Sequence, residues 1–169
     1  RIKEEEIEAA KNTGYDVQEY TVLYDGIAVV VSSNVSIDDL SVEELSGIYT
    51  GKITNWKDLG GSDSGIVVIA RDSSSGTGEY FLEEVVQLGE TIDDNDYTET
   101  ALRLQSNADI VNQIKNNDNA IGYIGLGYLE KSLKILKVGG IEPSVDTVKD
   151  GSYPISRGLY IYAPDKELT

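Results

Sequence analysis

The residues best suited to chemistry lie in one stretch, "ARDSSSGTGEYF", residues 70–81. Ser75 and Thr77 carry hydroxyl donors, Gly76 lets a ligand approach the backbone, and Arg71 offers a planar fork for two oxygens. The stretch lies between the apolar run 66–69 and a segment with helical spacing. Its N–H groups therefore fall at a helix N-terminus, where unpaired amides and aligned peptide dipoles favour an oxyanion. The chemistry this predicts is anion binding. A plainer reading of the same residues stands beside it: Ser73, Ser74 and Ser75 make a turn and an N-cap, and Arg71 pairs with Asp72 or another carboxylate.

Composition excludes several other chemistries. The 169-residue chain has no histidine, which removes Ser-His-Asp catalysis, imidazole metal ligation and the commonest general base near neutral pH. It has no cysteine, which removes thiolate nucleophiles, thiolate metal sites and disulfides. "SSSGTGEY" lacks the lysine of a Walker loop and the Gly-x-Ser-x-Gly of a nucleophile elbow. No enzyme, cofactor or metal is expected, and a hydrolase using Ser75 is the weakest reading because no base is available. Fourteen basic against thirty acidic residues give a formal charge of −16, which repels nucleic acid and anionic membrane surfaces. The acidic balance is compatible with an anion site, since charges beyond about 10 Å are screened and local donors decide. Apolar runs such as residues 26–31 are far shorter than the roughly 20 residues of a spanning helix, so no direct membrane insertion is expected.

The elements that must position this loop follow from pattern. Residues 1–13 predict a short helix with a thin apolar face. Residues 21–33 predict a strand whose apolar second half is covered on both faces and is central in its sheet. Ser41 and Glu44 form a capping box for a helix over 42–50 sharing Leu45, Ile48 and Tyr49 on one face, with Gly51 at C′. A strand over 66–70 precedes the loop, and a helix from Thr77 stops by Gly89. Residues 83–99 hold seven acidic and no basic residues, read as solvated surface. Ser106 and Asp109 form a second capping box for a helix over 107–116. Strands follow at 120–129, 133–138 and 157–162, with a helix near 143–150. Alternating strands and helices predict an α/β fold: three layers, a mostly parallel central sheet and helices on both faces, in one domain over residues 1–169.

"LSVEELSGIYTGKITNWKDLGG", "IVVIARDSSSGTGEYF", "NAIGYIGLGYL" and "YPISRGLYIYA", in that order, closely resemble the phosphate-binding proteins of bacterial and archaeal ABC-type phosphate importers, the PstS type. The resemblance runs over essentially the whole chain. It implies one lobe of a type II periplasmic-binding fold, the second lobe plus hinge strands, with the first lobe largely absent and ending near residues 1–3. By resemblance, Arg71, Ser75, Gly76 and Thr77 contact phosphate oxygens, while further donors and a carboxylate selective for hydrogen phosphate come from the other lobe. The implied function is delivery of inorganic phosphate to the membrane permease subunits of an ABC importer by a monomeric extracytoplasmic binding protein, in the periplasm or on the cell surface, lipid-anchored through an upstream segment. Alternatives are another tetrahedral oxyanion, sulfate or molybdate, and an adhesion or signalling module without a transported ligand. Relatives often carry arginine where this chain has Gly78, and proline where it has Gly158. Some carry an arginine-orienting aspartate at position 73, a part left here to Asp72 or to no residue.

Other candidates read as structural. Asn55 and Trp56 suggest a packing anchor, and Gly122, Gly125 and Gly127 suggest close backbone packing. The eleven tyrosines, spread along the chain, suggest ordinary amphipathic burial. Asp25 is a candidate for a hinge or near-site carboxylate, and Arg157 for its salt-bridge partner.

Overall fold

The computed structural model describes residues 2, 4–89 and 91–164. The chain forms two compact units, residues 26–156 and residues 1–25 with 157–169.

The larger unit is built on the second half of β1 (Val17–Val31), buried from Gly26 onward. Then come β2 (Asp39–Leu40), α2 (Val42–Tyr49), a 3-10 turn at Trp56–Leu59, β3 (Val67–Arg71) and α3 (Gly76–Phe81), where α1 is the helix of the smaller unit. The helical segment of α3 continues as a π turn over Leu82–Val86, and β4 (Leu102–Leu104), α4 (Asn107–Asn116), β5 (Ala120–Gly125), β6 (Lys134–Ile135), β7 (Lys137–Val138) and α5 (Val145–Lys149) follow. The main sheet has the order β4-β3-β5-β1-β6, so the apolar half of β1 is internal as its pattern predicts. β3 runs parallel to β4 and β5, whereas β1 is antiparallel to β5 and β6. The α/β class holds, and the pairings make the sheet mixed where strand-helix alternation predicts a mostly parallel one. The reason is that β1 meets β5 across ninety residues of sequence, Val31 opposite Ile121, and no local pattern records that direction.

Period-2 alternation supplies both faces of this sheet. Val29 and Val31 of β1, Val68 and Ala70 of β3, and Ile121 and Tyr123 of β5 enter one core with Leu45, Ile48, Tyr49, Phe81 and Val85. Val30, Ile69, Ala120 and Ile124 point the other way, against Ile110, Val111 and Ile114 of α4. Helices therefore cover both faces, and each fully buried Val, Ile or Leu contributes about 1.5–3 kcal/mol.

Caps fix where the helices begin. Ser41 Oγ accepts from Glu44 N (3.1 Å) while Glu44 Oε2 accepts from Ser41 N (2.8 Å), the full reciprocal box. Gly51 follows the Thr50 C-cap at φ +77°, the left-handed conformation that ends the helix. α4 has half a box: Ser106 Oγ accepts from Asp109 N, but Asp109 Oδ2 takes the Ser106 hydroxyl proton at 2.6 Å instead of reaching the cap amide. Trp56 is buried with Nε1 donating to Asn119 O (3.1 Å), and Asn55 caps the 3-10 turn through Lys57 N, which settles that pair as packing. A Cβ at Gly122 would lie 2.9 Å from Ile110 Cγ2, so glycine there is a close approach of strand and helix.

In the smaller unit, α1 (Glu4–Asn12) buries no residue, as its thin apolar face predicts. Arg1 and Lys3 of the expected helix 1–13 and of the expected lobe boundary, and Glu90 of the acidic run, lie outside the described residues. β8 (Ser156–Pro164) pairs with β1. Asp25 Oδ2 and Arg157 Nη2 are 3.6 Å apart, each about one-third exposed. This is the salt bridge expected for Arg157, and at that exposure it contributes no more than about 1 kcal/mol.

Candidate functional site

Three strands run in one direction, and their carboxyl ends meet. β3 ends at Arg71, β4 ends just before Gln105, and β5 ends at Gly125. In open α/β sheets that edge is where ligands bind. The four residues singled out from the sequence all stand there: Arg71 closes β3, Ser75 is the N-cap of α3, and Gly76 and Thr77 are its first two helical residues.

Each backbone group of the loop has a traceable partner. Ser75 is buried, its N–H donates to Asp72 O (3.2 Å), and its Oγ accepts from Gly78 N (3.2 Å). Because that oxygen is accepting, its own proton is left to donate outward. Glu79 N–H goes to Ser75 O. The first-turn amides without an intrahelical acceptor are then those of Gly76 and Thr77, where the dipole end of the helical run 76–86 lies. A Cβ placed on Gly76 would meet nothing within 4 Å, so the space above this backbone is open. A Cβ on Gly78 would lie 3.0 Å from both Arg71 Cβ and Asp72 O. The first turn of α3 is thus packed onto the end of β3, with glycine at the point of closest approach.

Arg71 is oriented without a carboxylate. Its Nη2 donates to Gln105 O (2.7 Å) and its Nη1 to Asn107 Oδ1 (3.3 Å), while its Nε is buried with no acceptor among the described residues. Asp72 does not take the orienting part left open to it: its Oδ1 accepts from Ser74 N and Ser74 Oγ, an Asx turn that shapes the loop. With neutral acceptors in these two bonds, the guanidinium is not tied to a carboxylate through them when a ligand anion arrives. The plainer reading is right about the turn and the Ser75 cap, and the observed partners of Arg71 differ from it.

Asn107, Gln105, Tyr97 and Tyr123 belong to this site and are not singled out by the sequence. Asn107 sits directly after the Ser106 cap, and its Oδ1 also accepts from Gly125 N (3.4 Å), so one oxygen joins the ends of β3 and β5. A cap motif ending an alternating "LRL" was the available signal. The tyrosines had none, since their partners are 19, 26 and 52 residues away. A cavity of about 210 Å³ adjoins the loop, lined by Arg71, Asp72, Ser73, Gly78, Tyr97 and Arg103 among others. Burial pushes the phenol of Tyr97 well up and that of Tyr123 up, so both are neutral donors at any ordinary pH. Among the described residues no cluster of metal-ligating side chains occurs, and no helix is long and apolar enough to cross a membrane. Arg71 and the first turn of α3 present N–H, O–H and guanidinium donors that suit an anion, while Asp72 and Glu79 place carboxylates on the wall of the adjoining cavity.

Comparison with known proteins gives consistent results. The family model described as PBP superfamily domain matches residues 1–169. The phosphate-binding protein PstS of Staphylococcus saprophyticus is 34% identical over 99% of this chain and 53% of its own length. That of Borreliella burgdorferi is 32% identical over 97% of this chain and 58% of its own. The chain spans about half the length of the curated relatives it matches. Among solved structures, an ABC-type phosphate transport receptor from Vibrio cholerae superimposes with a TM-score of 0.82 at 31% identity, covering 99% of this chain and 65% of that one. A substrate-binding protein attributed to a phosphate ABC transporter of Clostridium perfringens, solved with bound phosphate, gives 0.76 at 36% identity over 100% and 65%.

Proposed function

The chain belongs to the PBP superfamily, and from that premise we propose that it binds inorganic phosphate through Arg71, Ser75, Gly76 and Thr77. In this reading residues 1–169 are one lobe of a two-lobed, monomeric extracytoplasmic binding protein, with the remaining donors supplied by the other lobe. It delivers phosphate to the permease subunits of an ABC importer and catalyses no reaction. The observation that carries the reading is Arg71 held by two neutral oxygens beside the open first turn of α3. A guanidinium hydrogen-bonded to neutral oxygens, two outward amides and a hydroxyl proton form a donor set for an anion.

The mechanism is electrostatic. An oxyanion at the first turn accepts from Gly76 N–H, Thr77 N–H and the Ser75 hydroxyl, while the free donors of Arg71 take a further oxygen. Such charge-assisted bonds are worth about 1.5–3 kcal/mol each. None of the four residues carries a carboxylate to take the proton of hydrogen phosphate, so this half of the site holds phosphate and sulfate alike.

The test is an NMR titration of the chain with inorganic phosphate and, separately, sulfate, following the amides of Ser75, Gly76 and Thr77. Saturable shifts centred on these three amides with both anions are expected, with loss of the response in Arg71→Met by about ten- to a hundredfold in Kd. Shifts centred elsewhere, or an unchanged Kd in Arg71→Met, would rule the site out.

A further inference from the structure

Two buried phenols close a circuit beneath the loop. Arg71 N donates to Tyr123 Oη (3.0 Å), the Tyr123 and Tyr97 oxygens are 2.8 Å apart, and Tyr97 Oη donates to Gly78 O (3.0 Å). The direction of every bond follows from proton count. A phenol has one proton. Tyr97 spends its proton on the Gly78 carbonyl, which has none to give, so Tyr97 can only accept from Tyr123. Tyr123 therefore donates to Tyr97 and accepts from the Arg71 amide. The chain reads Arg71 N–H, Tyr123 O–H, Tyr97 O–H, Gly78 C=O, with every proton in it donated.

The two ends of this chain are the two ends of the binding loop. Arg71 is the last residue of β3 and Gly78 the third residue of α3, whose own N–H is fixed by Ser75 Oγ. The phenols themselves are held rigidly. Tyr123 stacks on Phe81 at 3.8 Å and 7°, Tyr49 packs edge-on against both tyrosines, and the Arg103 guanidinium lies 5.0 Å over the Tyr97 ring.

We propose that Tyr97 and Tyr123 are positioning residues for anion binding, setting the distance between Arg71 and the first turn of α3 through this directed hydrogen-bond chain. The proposal rests on residues 71–77 being the phosphate site. Neither phenol touches the ligand. Their effect is preorganisation: a loop clamped at both ends loses less freedom when the anion arrives.

The experiment compares the parent chain with Tyr97→Phe, Tyr123→Phe, the double variant and Tyr49→Phe. Tyr49 shares the aromatic cluster, but its buried hydroxyl has no partner among the described residues, so it controls for packing. Inorganic phosphate is titrated against the amides of Ser75, Gly76 and Thr77, and thermal midpoints are recorded alongside. Each chain variant is expected to raise Kd about tenfold, the double variant no more than about tenfold in total, and Tyr49→Phe less than about twofold. If the parent amides do not respond to millimolar phosphate, the site reading fails and this proposal with it. If the parent binds but Tyr97→Phe and Tyr123→Phe bind equally well at lowered midpoints, the phenols are structural only and the proposal alone is overturned. Should a variant not fold, the parent decides: the two shielded phenolic protons are expected to exchange slowly and to shift with the same phosphate midpoint as the amides. Phenolic protons indifferent to phosphate overturn the proposal.

Discussion

Asn107 shows how much one oxygen can organise. Its Oδ1 takes a proton from Arg71 Nη1 and another from Gly125 N, so truncation to alanine releases the arginine and leaves a strand-end amide without its acceptor. Asn107→Ala is expected to weaken phosphate binding several-fold in titration. Asn107→Asp keeps an acceptor but adds a negative charge against the guanidinium, and is expected to weaken it further, by about tenfold or more. Gly122→Ala makes the opposite kind of test. Its methyl would meet Ile110 Cγ2 at 2.9 Å and Ile114 Cδ1 at 3.3 Å, an overpacked contact costing about 1–3 kcal/mol in the urea midpoint, while the amide response to phosphate stays unchanged. The four loop residues were legible in the sequence because capping, glycine permissiveness and a fork-shaped cation are properties of adjacent residues. What orients them was not legible, because Asn107 and Tyr123 reach Arg71 only once β3, β4 and β5 lie side by side.

At the scale of elements, the capping signals carry most of the information. The reciprocal Ser41 and Glu44 bonds start α2, and Ser41→Ala is expected to cost about 1 kcal/mol of stability by chemical denaturation. Ser106→Ala is expected to cost at least as much, because it removes both the acceptor of Asp109 N and the hydroxyl donor to Asp109 Oδ2. The expected helix over 107–116 agrees with Asn107–Asn116, and that over 42–50 ends one residue early, at Tyr49. β4, three residues long with exposed or half-exposed side chains, and the two-residue β2 escaped the sequence pattern, since such short strands exist only by pairing with a partner. Sequence spacing predicts one uninterrupted helix from Thr77 to Gly89. That segment contains the π turn Leu82–Val86, a local underwinding by one inserted residue that periodicity cannot separate from an α-helix.

For the whole molecule, the buried phenols set the response to alkali. Burial raises the pKa of Tyr49, Tyr97, Tyr123 and Tyr153 in the folded chain. The unfolded chain releases these protons near pH 10 while the folded chain retains them, so their stabilising contribution is complete below about pH 10 and is lost as pH rises beyond it. Each phenol the folded chain keeps protonated while the unfolded chain ionises adds about 1.4 kcal/mol per pH unit to the loss, and the growing negative charge of an already acidic chain acts in the same direction. A cooperative loss of far-ultraviolet circular dichroism is expected above pH 10, moving to higher pH in Tyr49→Phe. A transition unmoved by that substitution would show that the Tyr49 phenol does not contribute to it.

The alternation of β1 has a consequence for how this chain tolerates change in length. Val29 and Val31 serve one core and Val30 the other, opposite Tyr123 and Gly122 in register. Inserting a single residue between Val29 and Val30 swaps every later side chain to the opposite face, sending Val30 toward the aromatic cluster and Val31 toward α4. The strand thus has a reading frame. Substitutions within it are local errors, but an odd insertion is a frameshift of the tertiary structure, and only insertions of two residues restore the parity on which both cores depend.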